Sequence, residues 1–310
     1  MLLNLKTLYK AVVLIVVVVP LLATAFAMYL LWQRAVHGLD IALLLSLYAL
    51  TALGVTIGFH RMLTHRSFNP HPVVKCIFLI LGSMAVEGAA IEWAATHTKH
   101  HAQSDREGDP HSPMEGFFHA HIGWMFRDFE ADPQVYCRHL LKDPIVMFIS
   151  RTFPLWTILS LIIPFLIGGW TGLLWGGLVR ICLTHHVTWS VNSICHTFGK
   201  REFETTDQSR NEWVIGLLAF GEGWHNNHHA FPRSAFHGLH WWQFDLSGYI
   251  IWTLERVGLI KDVYRITPDM LARRAARNKQ VRSIVNAGEM HTREEQITPS
   301  QLEPTGVSGL

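Results

Sequence analysis

Three histidine clusters carry most of the chemistry available to this chain: His60-Arg-Met-Leu-Thr-His65, His97-Thr-Lys-His100-His101 and His225-Asn-Asn-His228-His229. Residues i, i+3 and i+4 share a helical face, so each H-x-x-H-H box aims three imidazoles at one place. His60 and His65 differ. Five residues is roughly 140° around an α-helix, so they converge better across a helix end than along a helix. Imidazole-rich clusters without thiolates suit zinc, copper, iron or nickel. Asn192 and His196, four apart in Trp189-Ser-Val-Asn-Ser-Ile-Cys-His196, add an amide and a further nitrogen on one helical face. That is more than one ion needs, so two ions with positions left open for oxygen are expected. A lone histidine is more often structural, but three clusters at ligand spacing are not explained that way. Neutral ligands keep such ions electron-poor and make a strongly oxidising centre plausible. Beside an apolar bundle it would suit attack on a C–H bond of a lipid chain. Spacing alone does not separate desaturation from hydroxylation.

The elements around these clusters read as membrane-embedded. The chain has 310 residues, 49% of them hydrophobic, and a mean hydropathy of +0.20, which favours a membrane protein. Four spans are expected, at roughly 11–32, 40–59, 146–167 and 171–191, in two hairpins with short links. The first is too long for the apolar core of a signal peptide and reads as a retained span. The hairpins put the N-terminus, 60–145 and 192–278 on one side with most Lys and Arg, hence the cytosol. All three boxes fall there. The expected class is therefore an all-α integral membrane protein, four spans capped by a cytosolic helical domain, within a single domain 1–278. Residues 73–95 are apolar too, but Glu87, Glu92 and the placement of the boxes favour an interfacial helix over a fifth span. From 279 to 310 the chain reads as a disordered polar tail. The four cysteines lack C-x-x-C spacing, so no disulfide framework is expected. A net charge of +2 without a basic, aromatic-interleaved stretch argues against nucleic acid.

The boxes, in this order and with these flanks, resemble the membrane-bound Δ9 fatty acyl desaturases. The resemblance runs from about Gly58 to Lys261. It rests on Gly221-Glu-Gly-Trp-His225-Asn-Asn-His228-His229-Ala-Phe-Pro232, Glu92-Trp93, Asp109-Pro-His111 and Thr188-Trp189-x-x-Asn192-Ser193-x-x-His196. It implies four membrane helices under a cytosolic cap and a diiron centre. The ligands it implies are His60, His65, His97, His100, His101, His196, His225, His228 and His229, with Asn192 holding a water. O2 would be co-substrate and a C16–C18 acyl chain the substrate, bent at Thr188 and Trp189. Animal acyl-CoA members carry an Arg-Asp pair where this chain has Ala95-Thr96, which weakens the case for a CoA head group. Family frequency still tips the expectation slightly towards acyl-CoA over acyl-lipid. No haem-binding His-Pro-Gly-Gly is present, so electrons are expected from a separate ferredoxin, rubredoxin-like protein or flavin reductase.

Further candidates are weaker. Lys99, Arg106 and Arg127 could hold head-group phosphates. Tyr48, Ala52 and Thr56 share a face leading towards His60 and could close the acyl tunnel. His111, His119 and His121 lack ligand spacing and read as outer-shell or surface residues. His185 and His186 read as structural within the fourth span. Arg180 is either functional, or pairs with Glu87 or snorkels. Glu222 reads as a clamp on a ligating histidine, with Asp105, Asp109 and Asp207 as similar candidates. His237 and His240 read as part of an interfacial aromatic surface with Trp241-Trp242. The rival readings are a hydroxylase or ketolase of the same chemistry, and a histidine-rich metal transporter or sensor. The transporter would need ligands at mid-membrane depth. A prokaryotic inner membrane is the expected location.

Overall fold

The computed structural model describes residues 5–280 and 283. The chain forms two compact units, residues 1–265 and 266–310. The second carries a helix over 268–280. The rest of the predicted tail lies outside the described residues, apart from 283.

Three helices of the first unit are long and apolar enough to cross a membrane: Thr7–Trp32, Gly38–Thr64 and Phe153–Ser193. Helix α1 (Leu5–Trp32) keeps most of its large apolar side chains exposed, as a lipid-facing rod would. Helix α2 begins at Gly38, where Asp40 accepts the His37 amide at 2.9 Å, and is α-helical to Leu53. It then widens without a break into a π-helix over Gly54–Thr64. Two glycines let this segment meet α3 (Pro72–Ser83) backbone to backbone. A Cβ at Gly54 would lie 2.1 Å from the Gly82 nitrogen, and one at Gly58 2.7 Å from the Phe78 oxygen.

The apolar stretch 73–95 is not one helix. It is α3, a turn over 84–89 with Val86 and Gly88 at positive φ, and α4 (Ala90–Gln103). Two buried side chains of the later helices hold the turn's carbonyls. Arg180 donates to the Met84 oxygen at 2.7 Å, and the His185 ring lies 2.9 Å from the Ala85 oxygen.

The third predicted span starts late. Asp143 caps a separate short helix, α5 (Pro144–Arg151), by accepting the Ile145 and Val146 amides, so residues 146–151 belong to it. Helix α6 (Phe153–Gly172) follows, a π-helical turn over Leu173–Val179 continues it, and α7 (Arg180–Ser193) completes the long apolar stretch. That stretch is bent. Gly169, at φ 60° and ψ −144°, breaks the helical path. A Cβ at Gly172 would stand 2.3 Å from the Pro164 oxygen, and one at Gly177 3.3 Å from Leu161, so the two limbs lie against each other.

Short helical turns lie between 113 and 142, and three helices follow α7: α8 (Trp213–Leu218), α9 (His225–Ala230), which carries the third box, and α10 (Leu246–Arg256). A two-residue antiparallel pair, Asn69–Pro70 with Ile260–Lys261, ties the start of α3 to the end of α10. Ile57, Phe59, Leu79, Ala94, Ile149 and Ile251 form the centre of the main core, directly beneath the first two boxes.

Candidate metal centre

The π-helix carries His60, and His65 follows its last turn. Helix α4 carries His97, His100 and His101, α9 carries His225, His228 and His229, and His196 stands three residues beyond α7. Six of these nine histidines are no more than 9% exposed and the other three, His65, His101 and His229, are half-buried, and they sort into two groups. His60, His65, His97, His101 and His228 form one, and His100, His196, His225 and His229 the other. Within the first, the Nε2 atoms of His60 and His228 are 3.1 Å apart, those of His65 and His97 3.2 Å, and those of His101 and His228 3.0 Å. In the second, His196 and His225 meet Nε2 to Nε2 at 3.0 Å.

Four carboxylates fix which nitrogen faces inwards. The Nδ1 atoms of His100, His196 and His229 each stand 2.9 Å from a carboxylate oxygen, of Asp109, Asp105 and Asp207 respectively. His60 Nδ1 is 2.6 Å from Glu222 Oε2. An ionised carboxylate only accepts, so each Nδ1 carries the proton and each Nε2 points a lone pair at its neighbours. The Nε2 atoms of His100 and His229 are buried without a hydrogen-bond partner. Lone pairs facing lone pairs repel unless a cation lies between them. The donor set therefore fits metal ions, one per group.

Protonation follows the same logic. Burial, then the neighbouring imidazoles, hold His65, His97, His101, His225 and His228 well below the usual histidine range, so they remain neutral, ligand-ready bases. Burial lowers His229 to about 4 despite its bond to Asp207. Against the cost of burial, His100 holds Asp109 and His229 holds Asp207 far below the usual carboxylate range, while His237, His60 and Arg61 hold Glu222 low.

Two cavities meet at this cluster. One, of about 510 Å³, runs beside Tyr48, Ala52, Thr56, Val187 and Val191. The other, of about 1320 Å³, opens between the valines of α1 and the 84–89 turn. Both are lined by Trp93, His97, Thr188 and Asn192. Together they make a largely apolar space that reaches the first metal-capable group at His60 and His97. Thr188 and Asn192 line both cavities and Trp189 the larger one. Glu87 is an unexpected wall residue. It accepts from the Trp93 indole at 3.2 Å, and burial pushes its carboxyl up to about 7.

Several other residues fall differently from the sequence reading. His237 is not on an aromatic surface. It is 1% exposed, its Nδ1 is 3.2 Å from Glu222, and its ring is 4.5 Å from that of His228. His240 does stack on Trp242, and it bonds Glu202 at 2.6 Å. Arg180 does not pair with Glu87. Its three nitrogens donate to the Gly176, Met84 and Ser160 carbonyls. His111 is buried against His100 and Asp109, His119 is buried near Glu115, and His121 bridges Ser193 and His186. None of Lys99, Arg106 and Arg127 lines either cavity. Lys99 donates to the Glu130 carbonyl, Arg127 pairs with Glu115, and Arg106 is exposed. Sequence signals for His237 and Glu87 were weak, because neither repeats at ligand spacing.

A helical membrane protein with two histidine groups beside a largely apolar cavity defines the class. The comparisons narrow it: residues 38–251 match the fatty acid desaturase family model, and the chain belongs to that family. It is 38% identical over 275 residues to the hex-5-enoyl-[acyl-carrier protein] acetylenase of Moorena producens, covering 82% of this chain and 86% of that one. It is 41% identical over 222 residues to the sn-1 stearoyl-lipid 9-desaturase of Anabaena variabilis, 71% of this chain and 82% of that one. With the sn-1 stearoyl-lipid 9-desaturase of Synechocystis sp. it shares 43% over 220 residues, 70% of this chain and 69% of that one.

Proposed function

We propose that this membrane-bound fatty acid desaturase inserts a cis double bond at Δ9 of a saturated C16–C18 acyl chain, using O2 and two irons. The carrying observation is that two histidine groups border a largely apolar cavity, at His60 and His97 of one group and His225 of the other. His60, His65, His97, His101 and His228 would hold one iron. His100, His196, His225 and His229 would hold the other, with Asn192 reaching it through a water. Bound there, the irons supply the O2-dependent oxidation that removes two hydrogens from unactivated methylenes. The protein's own part is positional. Thr188 and Trp189 bend the chain so that two adjacent carbons face the centre. Val187, Val191 and Ala52 exclude water along the buried limb, and Tyr48 closes it. Asp105, Asp109, Asp207 and Glu222 hold protons at Nδ1 and keep Nε2 free.

The same reading places four spans in two hairpins, with the turn at Gly169 parting the third from the fourth. The termini and the centre would face the cytosol of a prokaryotic inner membrane. A separate ferredoxin, rubredoxin-like protein or flavin reductase would supply two electrons per turnover. For the head group we favour a lipid-linked acyl chain over the CoA expected from family frequency. Two observations support this: Ala95-Thr96 in place of an Arg-Asp pair, and the two stearoyl-lipid relatives. The test is expression in a desaturase-deficient host followed by mass spectrometry of its lipids, with metal counted per purified chain. New Δ9 monoenes with two irons per chain are expected. Hydroxylated or keto products would refute desaturation, and labile zinc would refute the enzyme.

A further inference from the structure

We propose that His237 is a positioning residue of the metal centre, holding Glu222 in place and, through it, the ligand His60. The inference rests on the metal-binding reading above. His237 lies in the segment after the third box and is 1% exposed. Its backbone is pinned on both sides. Its amide donates to Asp245 Oδ2 at 2.8 Å, and its carbonyl accepts from Asn227 Nδ2 at 2.9 Å. Asn227 stands between His225 and His228 in the third box, and Asp245 also receives Arg61 at 2.9 and 3.0 Å. A backbone fixed by those two contacts leaves the imidazole little choice of direction.

That direction is towards Glu222. Glu222 Oε1 accepts from Arg61 Nε at 3.1 Å and is ion-paired with a terminal guanidinium nitrogen at the same distance, and Oε2 lies 2.6 Å from His60 Nδ1. A carboxylate oxygen has two lone pairs, so Oε2 has room for one more donor. His237 Nδ1, 3.2 Å away, is within reach of it. Neither ring nitrogen has a well-aligned hydrogen-bond partner, so the approach of Nδ1 to Glu222 is the ring's closest contact with a charged group, and buried polar groups seldom go unpaired. The ring centroid is 4.5 Å from that of His228 and 5.4 Å from that of His60.

A third metal ion on His60, Glu222 and His237 fits poorly, although their ligand atoms lie within 4.8 Å of one another. The Arg61 guanidinium already binds that carboxylate and would repel a cation, and His60 Nδ1 is committed to it. The arrangement serves instead to stop Glu222 from swinging, which would let His60 turn away from its ion. Second carboxylates behind ligating histidines matter by roughly 10–100-fold in metal affinity, and a residue locking such a carboxylate should act at the lower end.

The test compares wild type with His237→Leu and His237→Gln, each purified with metal in place and challenged with a chelator. Metal per chain is followed over time alongside the optical spectrum. His237→Leu should release one of the two ions about tenfold faster and leave the other unchanged, with an altered spectrum. His237→Gln, which keeps an N–H donor, should restore part of the retention. Wild-type release and an unaltered spectrum in His237→Leu would overturn the proposal. So would equal loosening of both ions in both variants, the mark of a general structural role. A wild-type protein holding no tightly bound ions would instead overturn the metal-binding reading itself.

Discussion

His60 and His65 stand one π-helical turn apart. The His65 amide donates to the His60 carbonyl at 3.0 Å, five residues back, and the ring centroids are 4.7 Å apart. In an α-helix the same spacing would splay the two rings by roughly 140°. The extra residue per turn removes that mismatch, and π-turns recur at functional sites for this reason. The pair joins His97, His101 and His228 in one metal-capable group.

The grouping predicts selective metal loss. His65→Ala removes a ligand from the first group and His229→Ala one from the second. Each variant should remain in the membrane, lose activity and bind close to one ion instead of two. His100→Ala and His228→Ala should likewise be inactive. Metal counted per chain in purified protein checks this, and near-wild-type turnover with a full metal complement in any of them would refute the ligand set.

The two H-x-x-H-H boxes were legible in the sequence because they sit on ordinary helices, where i, i+3 and i+4 share a face. The H-x4-H pair was legible only as a cluster, since nothing in its residues announces a π-helix. The late start of the third apolar helix follows from Arg151-Thr152, where the short helix capped by Asp143 ends, and from the proline in the first turn of the next helix. His237 was misplaced because its neighbours in sequence are exposed tryptophans, whereas its partners Glu222, Asn227 and Asp245 converge only in the fold. The pairing of Arg180 with Glu87 failed for a related reason: three backbone carbonyls, of Met84 in the turn and of Gly176 and Ser160, take the place of a carboxylate.

The aspartates behind the second group give a graded test. Asp109→Asn and Asp207→Asn keep size but offer an amide whose nitrogen can no longer enforce the Nδ1–H form of His100 or His229. Metal affinity or activity should fall by roughly 10–100-fold, with folding retained. Chelator competition measures the first and product formation the second. Unchanged values in both variants would remove these carboxylates from the site.

Acid should destabilise the metal-free protein. His229 titrates at about 4 in the folded chain but near 6.5 when unfolded, so between those values the unfolded state binds more protons and stability falls as pH drops. The other lowered histidines act in the same direction over the same window. Asp109, Asp207 and Glu222, held low when folded, contribute stability that is present above their unfolded values and lost on further acidification. Thermal unfolding of the metal-free protein in detergent should therefore shift steadily downwards from pH 7 to pH 4.5. A flat profile would contradict the buried neutral histidines.

Chain length should respond to the buried limb of the cavity. Ala52 is 6% exposed and lines it with Tyr48 and Thr56, and the Tyr48 hydroxyl donates to the Leu218 carbonyl at 2.6 Å. Ala52→Leu adds three carbons to this wall and should shift products towards chains shorter by a few methylenes. Tyr48→Phe keeps the ring but frees it from Leu218, and should broaden the length range. Lipid profiles from the complemented host report both, and unchanged profiles in stable variants would take this limb out of the acyl path.

The head group offers the sharpest discrimination. An acyl-CoA carries phosphates that need cations near the cavity, yet Lys99 is bonded to the Glu130 carbonyl, Arg127 to Glu115, and Ala95-Thr96 offer no charge. The larger cavity is walled on one side instead by Val12, Val13, Val16 and Val17 of α1, a helix apolar enough to border lipid. A chain still attached to a membrane lipid could enter there without leaving the bilayer. Reconstituted protein with a competent electron donor should therefore turn over stearoyl phospholipid or glycolipid and leave stearoyl-CoA largely untouched. Substituting Val13 and Val17 with tryptophan should obstruct that entry and slow turnover of the lipid-linked chain. Efficient turnover of stearoyl-CoA alone would reverse the head-group assignment while leaving the desaturase family in place.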